Sequence, residues 1–258
     1  MSETAGVAFG RLVALMARLR APDGCPWDRR QSLESLRAYL IEETYEVLEA
    51  LDDGDPGAHR EELGDLLFQV VFQARIREEE GHFDAAAVAD GIREKLERRH
   101  PHVFGDAVLA DAEAVAQSWH AIKAQEKRRE SALDGIPRAL PALLRAERLG
   151  AKAARVGFDW PDVDGVLAKL AEEQAELAAA RAAGDADAIH HEVGDLLLTM
   201  ASLARHLGVD PEAALEAANH RFEQRFRGVE RRLSAQGQAM ADADAATLDA
   251  AWEAVKRS

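Results

Sequence analysis

Two short strings carry the side chains best suited to chemistry. Glu42-Glu43-x-x-Glu46 is followed by Glu62-x-x-Asp65, and Glu172-Glu173-x-x-Glu176 by Glu192-x-x-Asp195. Carboxylates three residues apart stack on one helix face, so each string offers paired acids. Four carboxylates drawn within a few ångströms of one another cannot all stay ionised and buried without a counter-charge. Hard oxygen ligands of this kind suit magnesium or manganese, with water or substrate oxygens completing the shell.

The acids sit in a duplication. Leu40–Leu48 recurs as Leu170–Ala178, Gly54-Asp55 as Gly184-Asp185 and Glu62–Leu67 as Glu192–Leu197, all at one constant spacing. Further along the register drifts: Glu94–Arg99 pairs with His220–Arg225, and Trp119–Lys123 with Trp252–Lys256. Between the copies, Ser131–Pro141 holds Gly135, Pro137 and Pro141, a linker signature. The expected organisation is therefore an N-terminal module over 1–130, a linker over 131–141 and a C-terminal module over 142–258.

Ala, Leu, Glu and Arg fill most of the chain and strand-favouring runs are scarce, so the expected fold is all-α, with tandem duplicated helical bundles. The first acid-bearing helix is predicted from Ser32, as N-cap, to Leu51, and its counterpart over Val163–Ala183. Asp55 then caps a second helix with Pro56 at its first position, predicted over Pro56–Arg77 and matched by Asp185–His206. A further helix is expected from Pro141 to Arg155. On the second helix Leu63, Leu66, Leu67, Phe68, Val70 and Val71 cover most of the circumference, leaving a narrow stripe of Glu62, Asp65, Gln69 and Gln73. Val193, Leu196–Leu198, Met200 and Leu203 repeat this around Glu192, Asp195, Thr199 and Ser202. Helices apolar nearly all round are expected to be buried, with their acids facing an interior cleft or a narrow solvent seam. Gly64 and Gly194 each cost a helix about 1 kcal/mol relative to Ala, which points to close approach of a neighbouring helix or a ligand there.

The formal net charge of −15 disfavours extended nucleic-acid binding. A lone cysteine, Cys25, permits no internal disulfide and fits a reducing compartment. No apolar run reaches membrane-spanning length, so a cytoplasmic protein with no membrane association is expected. His190-His191, Glu79…His82 and Glu97…His100 lack a transition-metal or di-iron pattern that recurs in both halves, and no Gly-rich phosphate loop is present.

The paired acidic strings resemble the signature of the MazG family. Gly24–Asp28, Arg98–Phe104, Lys123–Lys127 and Ala153–Trp160 also look like MazG segments, in MazG order. The resemblance implies an all-α homodimer that hydrolyses nucleoside triphosphates to the monophosphate and pyrophosphate with magnesium. It implies metal ligands Glu173, Glu176, Glu192 and Asp195, with Glu43, Glu46, Glu62 and Asp65 as first-copy equivalents. Glu172 and Glu42 would stand behind the ligands or serve as the base.

Arg221 and Arg225, one turn apart, and Lys169, one turn before Glu173, form the expected phosphate clamp, by charge and by family position. Asn219 and Trp252 match family positions that contact the nucleotide. The C-terminal module is the expected main catalyst: Asn219 is replaced by Arg93 in the first copy, where His100-Pro101 should also end the clamp helix. The first copy would be weaker, differently specific, or regulatory and dimerising. The competing readings are a metal-assembled helical adaptor without catalysis, and an enzyme narrowed to non-standard nucleotides or alarmones.

Overall fold

The computed structural model describes residues 3–126 and 130–257; side chains at 116, 117, 120, 121, 124 and 125 are also left undescribed. The Lys123–Lys127 string therefore lies partly outside the described residues. Apart from one 3₁₀ turn at Met240–Asp242, every regular element among the described residues is an α-helix. Two compact units meet the chain at 1–127 and 128–258. No helix of the described residues is long and apolar enough to cross a membrane.

The first unit holds α1 (Glu3–Leu19), α2 (Pro26–Arg30), α3 (Leu36–Asp53), α4 (Pro56–Glu79), α5 (Ala85–Arg99), α6 (Pro101–Phe104) and α7 (Ala112–Glu126). Helices α3 and α4 form an antiparallel hairpin, because only Gly54 and Asp55 separate them. Gly54 takes the left-handed conformation (φ 69°) that ends α3. Asp55 then caps α4 by accepting a hydrogen bond from the Gly57 N–H at 2.8 Å, with Pro56 at the first position. Met16 from α1 meets Leu36, Val71, Phe72 and Ile76 in the core, so α1 covers one side of the hairpin. The turn after α1 needs Gly24: a Cβ there would lie 2.2 Å from the Leu19 carbonyl oxygen. The Arg20 guanidinium spans the same junction, donating to Glu79, to the carbonyls of Asp28 and Gln31, and lying over the Phe72 ring.

The second unit holds α8 (Ala142–Ala154), α9 (Val163–Ala183), α10 (Ala186–His206), α11 (Pro211–Ala235) and α12 (Ala245–Lys256). The α9–α10 hairpin repeats the first: Gly184 is left-handed (φ 69°) and Asp185 caps α10 through the N–H groups of Asp187 and Ala188. Helix α8 packs on α10 and α11, while Val229, Leu233 and Ala251 join α11 to α12. Residues 131–141 form turns rather than helix.

Three expectations need correction. Helix α3 begins at Leu36 rather than Ser32, and Ser32 does not cap it. Ser32 and Ser35 instead exchange hydroxyl-to-backbone bonds, the Ser35 N–H donating to Ser32 Oγ and the Ser32 N–H to Ser35 Oγ, and this local turn competes with helix. Nor are α4 and α10 buried all round within one chain. Leu63, Leu67 and Val70 are exposed, as are Val193, Leu197, Leu198 and Met200. Helix α4 packs on α1, and α10 on α8, while these side chains stay exposed among the described residues. Finally, a Cβ at Gly64 or Gly194 would meet nothing within 4 Å, so among the described residues no neighbouring helix makes the expected close approach to these glycines.

Candidate active site

Each hairpin holds its acids at the seam between its two helices. In the first unit, one oxygen each from Glu43 on α3 and from Glu62 and Asp65 on α4 lie within 4.8 Å of one another. In the second, Glu173 and Glu176 on α9 meet Glu192 on α10 within the same limit. Three of the four expected ligands thus converge in each unit, and the remaining one differs. Glu46 and Asp195 lie outside the tight groups, yet the charge of Glu46 bears on Glu43 and Glu62, and that of Asp195 on Glu192. Of the two expected settings, the acids take the solvent seam and not the interior cleft: Glu173 is buried, Glu43, Glu62 and Glu192 are half-buried, and Asp65 and Glu176 are exposed.

Crowding leaves its mark on their protonation. Glu43, Glu62 and Glu192 are all held above the ordinary carboxylate pKa, first by partial desolvation and then by neighbouring acids. For Glu192 the repelling charges are Glu176, Glu173 and Asp195. Such clusters have room for a positive charge, and the donor set is all carboxylate oxygen. In the first unit, Gln69 Nε2 donates to Glu43 Oε1 at 3.3 Å, while the buried Gln69 Oε1 has no hydrogen-bond partner among the described residues. Gln69 was visible in sequence as the next turn of the Glu62–Asp65 stripe, and its link to Glu43 needed the packing of α3 on α4.

The second unit places a cation of its own at the seam. Lys169 Nζ lies 2.7 Å from Glu173 Oε1 and 2.8 Å from Glu172 Oε1, and these partners, Glu172 foremost, hold its pKa above the ordinary lysine value. Lys169 is thus tied to the acids, and Glu172, exposed on α9, is tied to Lys169 rather than joined to the cluster. The corresponding position of the first copy is Tyr39.

The remaining expected residues stand apart from the acids within one chain. Asn219, Arg221 and Arg225 lie on α11, where Arg221 is exposed and Arg225 half-buried. No hydrogen bond or ion pair among the described residues joins either arginine to the acids of α9 or α10. Asn219 Nδ2 approaches Glu216 Oε2 at 3.5 Å. The half-buried Trp252 packs onto the Val229–Leu233–Ala251 cluster with its ring centroid 5.5 Å from that of Phe222. Glu42 is exposed on α3. Cys25 precedes α2, and neither His190 nor His191 belongs to an acidic group.

Residues 31–104 match the MazG nucleotide pyrophosphohydrolase domain, and residues 155–222 match the phosphoribosyl-ATP pyrophosphohydrolase domain. The chain is 47% identical over 253 residues to the nucleoside triphosphate pyrophosphohydrolase of Escherichia coli K12, covering 96% of each. It is 44% identical to the nucleoside triphosphate pyrophosphohydrolase/pyrophosphatase MazG of Thermotoga maritima, covering 98% of this chain and 97% of that one. A crystal structure of a mazG-related protein from Thermotoga maritima aligns with 44% of this chain at 27% identity and a TM-score of 0.39.

Proposed function

The chain belongs to the MazG family and hydrolyses nucleoside triphosphates to the monophosphate and pyrophosphate, and from that premise we propose that it does so with magnesium held in the C-terminal acidic seam. The observation that carries this reading is the convergence of Glu173, Glu176 and Glu192 from two helices onto one point. These three, with Asp195 a turn beyond Glu192, would hold the ion; Glu43, Glu46, Glu62 and Asp65 are the equivalent set in the first unit. When bound, magnesium or manganese neutralises phosphate charge and lowers the pKa of a water.

The protein's own groups supply the rest. Glu172 lies next to Glu173 yet outside the ligand group, and its carboxylate, now paired with Lys169, would accept the proton of the attacking water. Lys169 holds Glu172 and Glu173 in place, and its ammonium, at the edge of the acidic seam, would also serve as a donor to the phosphates. Arg221 and Arg225 project from α11 as donors for the leaving pyrophosphate, where a planar guanidinium can bind two phosphate oxygens. Asn219 and Trp252 would contact the nucleoside.

The working form is proposed to be a cytoplasmic homodimer that binds no extended nucleic acid. The uncovered apolar faces of α4 and α10 support the dimer, and the net charge of −15 opposes a polyanionic partner. The test is pyrophosphate release from mixed nucleoside triphosphates with and without magnesium after chelation. Release of orthophosphate instead, or undiminished turnover in the chelated protein, would remove this mechanism.

A further inference from the structure

The two copies treat their equivalent arginines differently. In the repeat, Arg99 on α5 takes the place of Arg225 on α11. Arg99 is buried, and Glu126 at the end of α7 grips it with both oxygens: Arg99 Nη2 donates to Glu126 Oε2, and Arg99 Nε is shared between Oε2 at 3.2 Å and Oε1 at 3.4 Å. Arg98 Nε donates to the other oxygen, Oε1, at 2.9 Å. The guanidinium of Arg99 also lies over the Trp119 ring, 5.0 Å from its centroid, and His100 meets the same ring edge-on. In the second copy, Trp252 is met by Phe222 instead; the charge of Arg225 bears on Glu253, but no carboxylate among the described residues hydrogen-bonds Arg225.

We propose that Glu126 is an internal anion that fills the phosphate seat of the N-terminal module, so that this module is shut to triphosphate while the C-terminal one stays open. The inference rests on the reading of Arg225 as a phosphate contact. A carboxylate held by two guanidiniums presents the same bidentate, charge-assisted bonds that a phosphate would make. A triphosphate must displace it, and an intramolecular competitor acts at an effective concentration of about millimolar or more. Arg99 foremost, and Arg98 with it, pull the Glu126 carboxyl down to about 2, so the competitor is charged wherever the enzyme works. The acids of the first module remain assembled, and the closure falls on the anion side alone.

The decisive measurement is calorimetric titration of the full chain with an α,β-methylene triphosphate in the presence of magnesium. Wild type should bind one analogue tightly per chain. Glu126→Ala and Glu126→Gln should add a second site at least tenfold tighter than any residual second binding in wild type. In an Arg225→Ala background, where the C-terminal site is lost, adding Glu126→Ala should restore one site, and adding Arg99→Ala should remove it again. Glu126→Gln keeps the size of the side chain, so a folded variant remains available if the alanine loosens α7. Two equal sites in wild type would overturn the closure, as would folded Glu126 variants that still bind a single analogue. Retention of the tight wild-type site in Arg225→Ala would instead break the underlying reading, and the inference with it.

Discussion

Glu192 is the residue on which the acidic seam turns, since it alone reaches the α9 pair from α10 in the tight group. Glu192→Gln keeps the shape and removes the charge, so turnover should fall at least ~100-fold while the far-ultraviolet dichroism stays unchanged. A variant retaining most of its pyrophosphate release would take Glu192 out of the metal site. The raised pKa values of Glu43, Glu62 and Glu192 fix the sign of a second effect. In the unfolded chain these groups titrate at their ordinary value, so the folded state binds more protons in that range. Their contribution to stability is therefore greatest below the unfolded pKa and is lost as pH rises through the folded pKa. A divalent cation offsets that loss only where the carboxylates are ionised. Magnesium should raise the melting temperature of the chelated protein at pH 7.5, by about 2–4 °C per kcal/mol of linkage, and barely move it at pH 4. Equal shifts at both pH values would mean that the ion binds elsewhere.

At the scale of elements, much was legible because local rules and tertiary packing agree. Asp55-Pro56 and Gly184-Asp185 punctuate the hairpins as capping chemistry demands, and α9 runs over the predicted Val163–Ala183. The start of α3 was not legible, because the two serines satisfy each other rather than the helix. Convergence of the acids followed from a three-residue spacing on antiparallel helices. Which three come closest did not, since a small difference in seam geometry admits Asp65 in one copy and Glu176 in the other. The Glu126 grip on Arg99 was equally hidden, because it joins residues 27 apart on two helices with no shared periodicity. The string Gly24–Asp28 was recognised as a motif, but its physical reason is visible only in three dimensions. Gly24→Ala would force a methyl against the Leu19 and Arg18 carbonyl oxygens, at 2.2 and 2.6 Å. Backbone cannot move aside as a side-chain tip can, so the variant should lose roughly 1–3 kcal/mol, read as a lower urea midpoint at unchanged slope. An unchanged midpoint would show that the α1–α2 turn relaxes freely.

For the molecule as a whole, the exposed apolar faces outweigh the buried core as evidence of how it lives in solution. Within the first unit Ile41, Tyr45 and Leu48 on α3 are exposed beside Leu63, Leu67 and Val70 on α4; within the second, Leu167 on α9 is exposed with Val193, Leu197, Leu198 and Met200 on α10. Isolated exposed leucines are ordinary, but two hairpins each leaving one side apolar are not the surface of a stable monomer. Gly64 and Gly194 lie among these residues with nothing over them, so a second backbone can come close where a side chain would hold it off. The same helices carry the acids, so a second copy laid on this face would also screen the seams from bulk water. Sedimentation should accordingly give twice the monomer mass at micromolar concentration. Leu197→Glu, placing a charge at a residue 54% exposed in the single chain, should cost the monomer's own fold little and yet move the equilibrium toward single chains. Pyrophosphate release should then rise with protein concentration more steeply than in proportion, as dimer reforms. A wild type that sediments as a monomer across this range would show that the apolar faces serve some partner other than a second copy.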